Sequence, residues 1–114
     1  DFYDYEAKYL DEGSTCVIPA PLSEAQTKDV HRLALAAFRA VDGAGMARVD
    51  FLMDKRKGKL FVNEVNTLPG FATISMYPKM WEASGLSYPA LIDRLLALAV
   101  ERHAEKQQLR TSVT

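Results

Sequence analysis

The sequence predicts an α+β fold, a mainly antiparallel sheet flanked by helices. Three observations predict it. Residues 46–54 and 59–66 read as two strands, rich in apolar and β-branched side chains, joined by the turn Lys55-Arg56-Lys57-Gly58. Val30, Leu33, Ala34, Ala37, Phe38 and Val41 recur at the three-to-four spacing of a helix face. Leu91, Ile92, Leu95, Leu96, Leu98, Ala99 and Val100 make a second, broader stripe. At 114 residues, 48% of them hydrophobic and 25% charged, the chain suffices for one domain with its own core.

The totals also exclude classes of function. A net charge of −1 lacks the basic excess of a general nucleic-acid or membrane-surface binder. Cys16 is the one cysteine, which excludes an internal disulfide or a cysteine metal cage and fits a reducing cytoplasm. The longest apolar run is too short to span a bilayer, and no signal peptide is visible. The chain opens on Asp1-Phe-Tyr-Asp-Tyr-Glu-Ala-Lys-Tyr9 without an initiator Met, so the interior of a longer protein is expected.

Taken in order, residues 1–13 alternate aromatic and charged side chains without a clean period. Tyr3, Tyr5 and Tyr9 with Lys8 could line a polar site or form a solvated loop. Residues 15–20 are β-branched and apolar before Pro19 and Pro21, which predicts a short strand ending in a rigid turn. Ser23 and Gln26 have capping-box spacing, and Glu24 is an anion in the first helical turn. Gly43 is expected to end that helix in the left-handed conformation. Residues 71–76 read as extended, with Thr73 and Ser75 as free hydroxyls. Tyr77-Pro78 is expected to open a short helix closed by Gly85, with Met80 and Trp81 in the core. Ser87 should cap the last helix, with Pro89 in its first turn and fraying near Gln107–Thr114.

The hairpin carries the chemistry. Alternation puts Arg48, Asp50 and Leu52 on one face of the first strand, and Val62, Glu64 and Asn66 on one face of the second. If Asp50 lies opposite Glu64, Arg48 must lie opposite Asn66. Two carboxylates directly opposed on a sheet repel each other. Two arrangements relieve that: a hard cation on the oxygen ligands, such as Mg²⁺, or an ion-pair network in which Arg48 neutralises one acid. The strand runs on into Thr67-Leu68-Pro69-Gly70, whose glycine lets backbone N–H groups approach an oxyanion.

Arg48-Val-Asp50, then Asn63-Glu64-Val-Asn66-Thr-Leu-Pro-Gly70 and Ile74-Ser75-Met76-Tyr77-Pro78, closely resemble the D-alanine–D-alanine ligase family of the ATP-grasp superfamily. The segment from Asp1 to Tyr9 resembles that family's mobile loop, and Trp81–Pro89 its C-terminal helices. The resemblance implies that residues 1–114 form the C-terminal portion of an ATP-grasp domain. Within it fall a lid loop at 1–13, a metal and oxyanion hairpin at 46–70, a substrate loop at 71–78 and C-terminal helices at 78–108. It implies ATP-dependent joining of two D-alanines through an acyl phosphate, for peptidoglycan precursors in the cytoplasm. The remaining N-terminal and central parts of the enzyme would be the chain's partners, and the complete protein a homodimer. No nucleic-acid or membrane partner is expected.

By motif position, the resemblance makes Asp50, Glu64 and Asn66 ligands of two Mg²⁺ ions, with Mn²⁺ as a substitute, on the phosphates of ATP. Lys8 would contact a phosphate. Arg48 and the Gly70 N–H would be oxyanion donors. Tyr9 would close the lid, and Ser75 with the Met76 backbone would hold the second substrate's carboxylate. Ala72-Thr73 stands where the family often has Thr-Pro, which predicts a less rigid loop. Lys8-Tyr9 favours dipeptide over D-alanyl-D-lactate formation. Two other readings are another ATP-grasp carboxylate–amine ligase and an isolated, non-catalytic module.

Overall fold

The structure, a computed structural model, describes residues 15–72 and 74–109. The described elements are α1 (Glu24–Ala40), β1 (Arg48–Met53), β2 (Leu60–Asn66), α2 (Met76–Ala83) and α3 (Tyr88–Gln108). The two strands form one antiparallel sheet. α1 packs on the hairpin, and α2 packs on α3. This is the α+β arrangement expected.

Helix α1 starts where its capping chemistry dictates. The Ser23 Oγ accepts from the Gln26 N–H at 3.2 Å, and the Ser23 N–H donates to Gln26 Oε1 at 2.9 Å. Two N–H groups without helical acceptors are thereby satisfied. The far end differs from expectation. Asp42, not Gly43, takes the left-handed residue, at φ 52°. The Asp42 N–H reaches the Arg39 carbonyl at 3.0 Å and the Gly43 N–H the Phe38 carbonyl at 2.9 Å, a Schellman closure. Asp tolerates this conformation better than most residues. Gly43 is needed for space instead, because a Cβ there would sit 2.4 Å from the Phe38 ring.

Residues 15–20 form no strand. The described residues offer them no pairing partner, and all six are exposed, with a cis peptide between Ile18 and Pro19. The hairpin turn is organised by Asp54, which the sequence reading overlooked. Its Oδ1 accepts from the Arg56 N–H at 2.8 Å and the Lys57 N–H at 3.3 Å. Gly58, at φ 62°, then donates to the Asp54 carbonyl at 2.7 Å. Lys55, Arg56 and Lys57 are exposed, as expected of a solvated turn.

Helix α2 begins two residues before Pro78, with Ser75 as its N-cap residue. Residues 76–78, expected within a loop of 71–78, form the first helical turn. Pro78 costs little there, because the N–H of the third helical position has no acceptor within the helix. Gly85, at φ 95°, closes α2 as predicted, with the Leu86 N–H on the Trp81 carbonyl at 2.9 Å. Ser87 caps α3 through the Ala90 N–H at 3.4 Å.

The expected core is only partly realised. Among the described residues the buried hydrophobics are Tyr77 and Leu91, while Trp81 is 41% exposed and Met80 half-buried. The Ile92–Leu96–Val100 row of α3 is open, with Leu96 60% and Val100 71% exposed. A two-stranded sheet and two neighbouring helices do not present enough apolar surface to cover so broad a stripe. No single helix among the described residues is long and apolar enough to cross a membrane.

Replacing Gly43 with Ala should destabilise the chain by about 1–3 kcal/mol, as overpacking does. Urea unfolding followed by circular dichroism checks this; an unchanged midpoint would show that the ring moves aside freely.

Candidate functional site

The antiparallel register pairs Asp50 with Glu64 and Arg48 with Asn66. The two carboxylates therefore stand directly opposite each other. The pairing then shifts between Asp50 and Phe51, so Phe51 faces Val62 and Asn63 is the extra residue on β2. This bulge corrects the expected face. Val62 does not continue the row of Glu64 and Asn66, because one inserted residue moves it opposite Phe51. A bulge also increases local twist, here immediately beside Glu64.

Arg48 relieves the opposed charges. Its Nε donates to Asp50 Oδ1 at 2.7 Å and its Nη2 to Asp50 Oδ2 at 2.9 Å, a two-pronged contact. Nη2 also lies 3.7 Å from Glu64 Oε1. The Arg48 side chain is 26% exposed, Asp50 34% and Glu64 49%. The pair nearest Arg48 is thus the better shielded from water, and Glu64 remains open to a ligand. The ion-pair network that the sequence allowed is thus formed.

The same donor set suits a hard cation. Among the described residues no three acidic, His or Cys groups cluster. The third oxygen in the row is instead an amide, that of Asn66. Its Oδ1 accepts from the Leu68 N–H at 3.2 Å, which turns the chain out of the strand. Two carboxylates and an amide oxygen fit an ion such as Mg²⁺, which binds few protein ligands and completes its shell with water and phosphate oxygens.

Beyond the hairpin the chain passes buried Pro69 to Gly70. A Cβ on Gly70 would lie 2.9 Å from Ser75 Oγ, so only glycine fits unchanged. Ser75 makes no side-chain cap to α2. Its Oγ accepts from the Ala72 N–H at 3.0 Å, and its own N–H donates to the Ala72 carbonyl at 2.9 Å. The hydroxyl is thereby held between Gly70 and the N-terminus of α2, where unpaired N–H groups favour an anion.

Sequence reasoning missed the support of this loop. Tyr88 donates its hydroxyl to the Phe71 carbonyl at 3.2 Å. The Phe71 ring lies 5.6 Å from that of Tyr77 and 6.0 Å from that of Tyr88, and Tyr77 meets Trp81 edge-on at 6.4 Å. Such pairs add to simple burial. The contact spans 17 residues, so no local pattern announces it. A cavity of about 250 Å³ separates Arg48 and Val49 of β1 from Tyr77, Met80 and Trp81 of α2 and from Ser84.

Arg48, Asp50, Glu64 and Asn66 are thus gathered in one row, and Gly70, Ser75 and the start of α2 at Met76 in one loop. Lys8, Tyr9 and the hydroxyl of Thr73 lie outside the described residues. Together these parts have the makings of a half-site for a cation and for anionic groups.

Comparison with known proteins narrows the class to a family. The sequence model described as D-ala D-ala ligase C-terminus matches residues 1–97, and the chain belongs to that family. A D-alanine–D-alanine ligase of Thermoanaerobacter sp. (strain X514) is 59% identical over 107 residues, covering 93% of this chain and 30% of that protein. One from Heliobacterium modesticaldum is 51% identical over 111 residues, covering 97% of this chain and 30% of that protein. A solved D-alanine–D-alanine ligase from Coxiella burnetii superposes with a TM-score of 0.75 at 54% identity, over 78% of this chain and 25% of that one. The chain spans under a third of the length of these relatives.

Changing Tyr88 to Phe should leave the rings packed but free the Phe71 carbonyl, a loss of about 1 kcal/mol. Hydrogen exchange across residues 70–75 should quicken about fivefold. Unchanged exchange would remove Tyr88 from the support of the loop.

Proposed function

We propose that the chain is the C-terminal portion of the ATP-grasp domain of a D-alanine–D-alanine ligase, acting in the cytoplasm on peptidoglycan precursors. The observation that carries this is the Asp50–Glu64 opposition, continued by Asn66 and bordered by Arg48, in a chain of this family. Family membership favours this over another ATP-grasp ligase.

In the reaction, the carboxylate of the first D-alanine attacks the γ-phosphorus of ATP, giving an acyl phosphate and ADP. The amine of the second D-alanine attacks the acyl carbon, a tetrahedral intermediate forms, and phosphate leaves. Phosphoryl transfer demands chiefly positioning and charge neutralisation. Asp50, Glu64 and Asn66 would hold two Mg²⁺ ions, replaceable by Mn²⁺, that offset the charge of the ATP phosphates. Arg48 and the Gly70 N–H would donate to the oxyanion of the tetrahedral intermediate, where one such donor is worth about 3–4 kcal/mol. Ser75 Oγ and the Met76 N–H would hold the carboxylate of the second substrate. Its orientation then presents the amine to the acyl carbon.

Lys8 would contact a phosphate, and Tyr9 would close the lid against water, which otherwise hydrolyses the acyl phosphate. Partners would be the N-terminal and central parts of the same enzyme, with homodimerisation through the N-terminal part. Alone, the chain would offer one side of a site and no turnover.

In the complete enzyme, Asp50→Asn or Glu64→Gln should lower D-alanine-dependent ADP release by more than about a hundredfold, beyond the usual loss for an outer-shell change. Ser75→Ala should raise the KM for the second D-alanine about tenfold while sparing that for ATP, as loss of a bond to a charged group would. Near-normal turnover in the acidic variants, or equal KM changes for both substrates, would contradict these roles.

A further inference from the structure

The contact between Arg48 and Asp50 sets two roles of the site against each other. One guanidinium engages both oxygens of Asp50, at 2.7 and 2.9 Å. Its Nη2 reaches toward Glu64 as well, at 3.7 Å. A divalent cation held by the same carboxylates would stand beside the guanidinium, and the two positive charges would repel each other. The proposed oxyanion role asks Arg48 to point at substrate rather than to chelate an acid. Both conflicts are resolved if one event settles them together.

We infer that Arg48 is a placeholder that the metal displaces. Without metal, its planar fork keeps the Asp50 carboxylate ordered and its charge opposed, so the acids can stand across the sheet without collapse of the pair. When the cation binds between Asp50 and Glu64, the fork releases at least one Asp50 oxygen and swings toward the substrate. Metal loading and delivery of the oxyanion donor are then one coupled step. By linkage, an anion that favours the released guanidinium must tighten metal binding by the same factor. The site would be armed for an oxyanion only once its metal is in place. This rests on the metal assignment proposed above.

The test measures Mn²⁺ affinity by electron paramagnetic resonance in the complete ligase with ADP, corrected for Mn²⁺ bound to ADP in solution. Arg48→Lys keeps the charge but loses the two-pronged contact, because an ammonium is a point donor. It should bind Mn²⁺ at least about fivefold more tightly than the unaltered enzyme, the lower end of ordinary coupling. Equal or weaker binding overturns the inference. Tightening in Arg48→Ala but not in Arg48→Lys also overturns it, by assigning the effect to net charge alone. In the unaltered enzyme, the ¹⁵N resonance of the Arg48 Nε–H should shift and lose its exchange protection on adding Mg²⁺; an unmoved, protected signal overturns the inference without any variant. Absence of Mn²⁺ binding in the unaltered enzyme would instead overturn the metal assignment and the inference with it. Mn²⁺ binding indifferent to Arg48 would remove the inference alone.

Discussion

Two like charges held face to face by a backbone ladder are the constraint on which the site depends. The backbone ladder sets Asp50 opposite Glu64, so that both side chains leave the same face of the sheet. Every nearby feature can be read as managing that repulsion. Arg48, two residues from Asp50 on the same strand, has the reach and the geometry to grip both its oxygens. The bulge at Asn63 twists β2 just beside Glu64. Asn66 ends the row with an uncharged oxygen, which adds no repulsion. With Arg48 beside them, the two carboxylates share one balancing positive charge.

The second half of the site depends on the first through chain connectivity and on the helices through packing. Asn66 turns the chain at Leu68, and Gly70 brings it within contact of Ser75. The Phe71–Tyr77–Tyr88 cluster then ties this loop to α2 and α3. A loop fixed at both ends by hydrogen bonds and rings can hold N–H groups for an anion at little reorganisation cost. The apolar row of Ile92, Leu96 and Val100 plays no part in that support and stays open.

Much of this was legible in the sequence because the signals were local. The capping box of Ser23 and Gln26, the Ser87 cap, the Gly85 terminus and the alternation around Arg48 and Asp50 each span a few residues. Register was legible only conditionally: with Asp50 set opposite Glu64, Arg48 falls opposite Asn66. What was illegible depended on longer-range geometry. The Asn63 bulge needs both strands in place before an extra residue can be recognised. Tyr88 and Phe71 meet only once α3 has packed. Asp42, not Gly43, took the left-handed position at the end of α1, while the Phe38 ring lies against the glycine. Residues 15–20 had strand composition but no partner strand, and composition cannot supply one. Trp81 and the α3 stripe had core composition, and their exposure reflects how little surface lies opposite them. The choice between metal and ion pair at Asp50 was open for a different reason: both rest on the same residues.

The central claim is that the Asp50–Glu64–Asn66 row holds the metal of an ATP-using ligase. Anomalous diffraction from crystals of the complete enzyme grown with ADP and Mn²⁺ tests it most directly. Manganese peaks in direct contact with oxygens of Asp50, Glu64 and Asn66 are the predicted result. Manganese bound to ADP but placed away from all three side chains, with Arg48 still gripping Asp50, would contradict it.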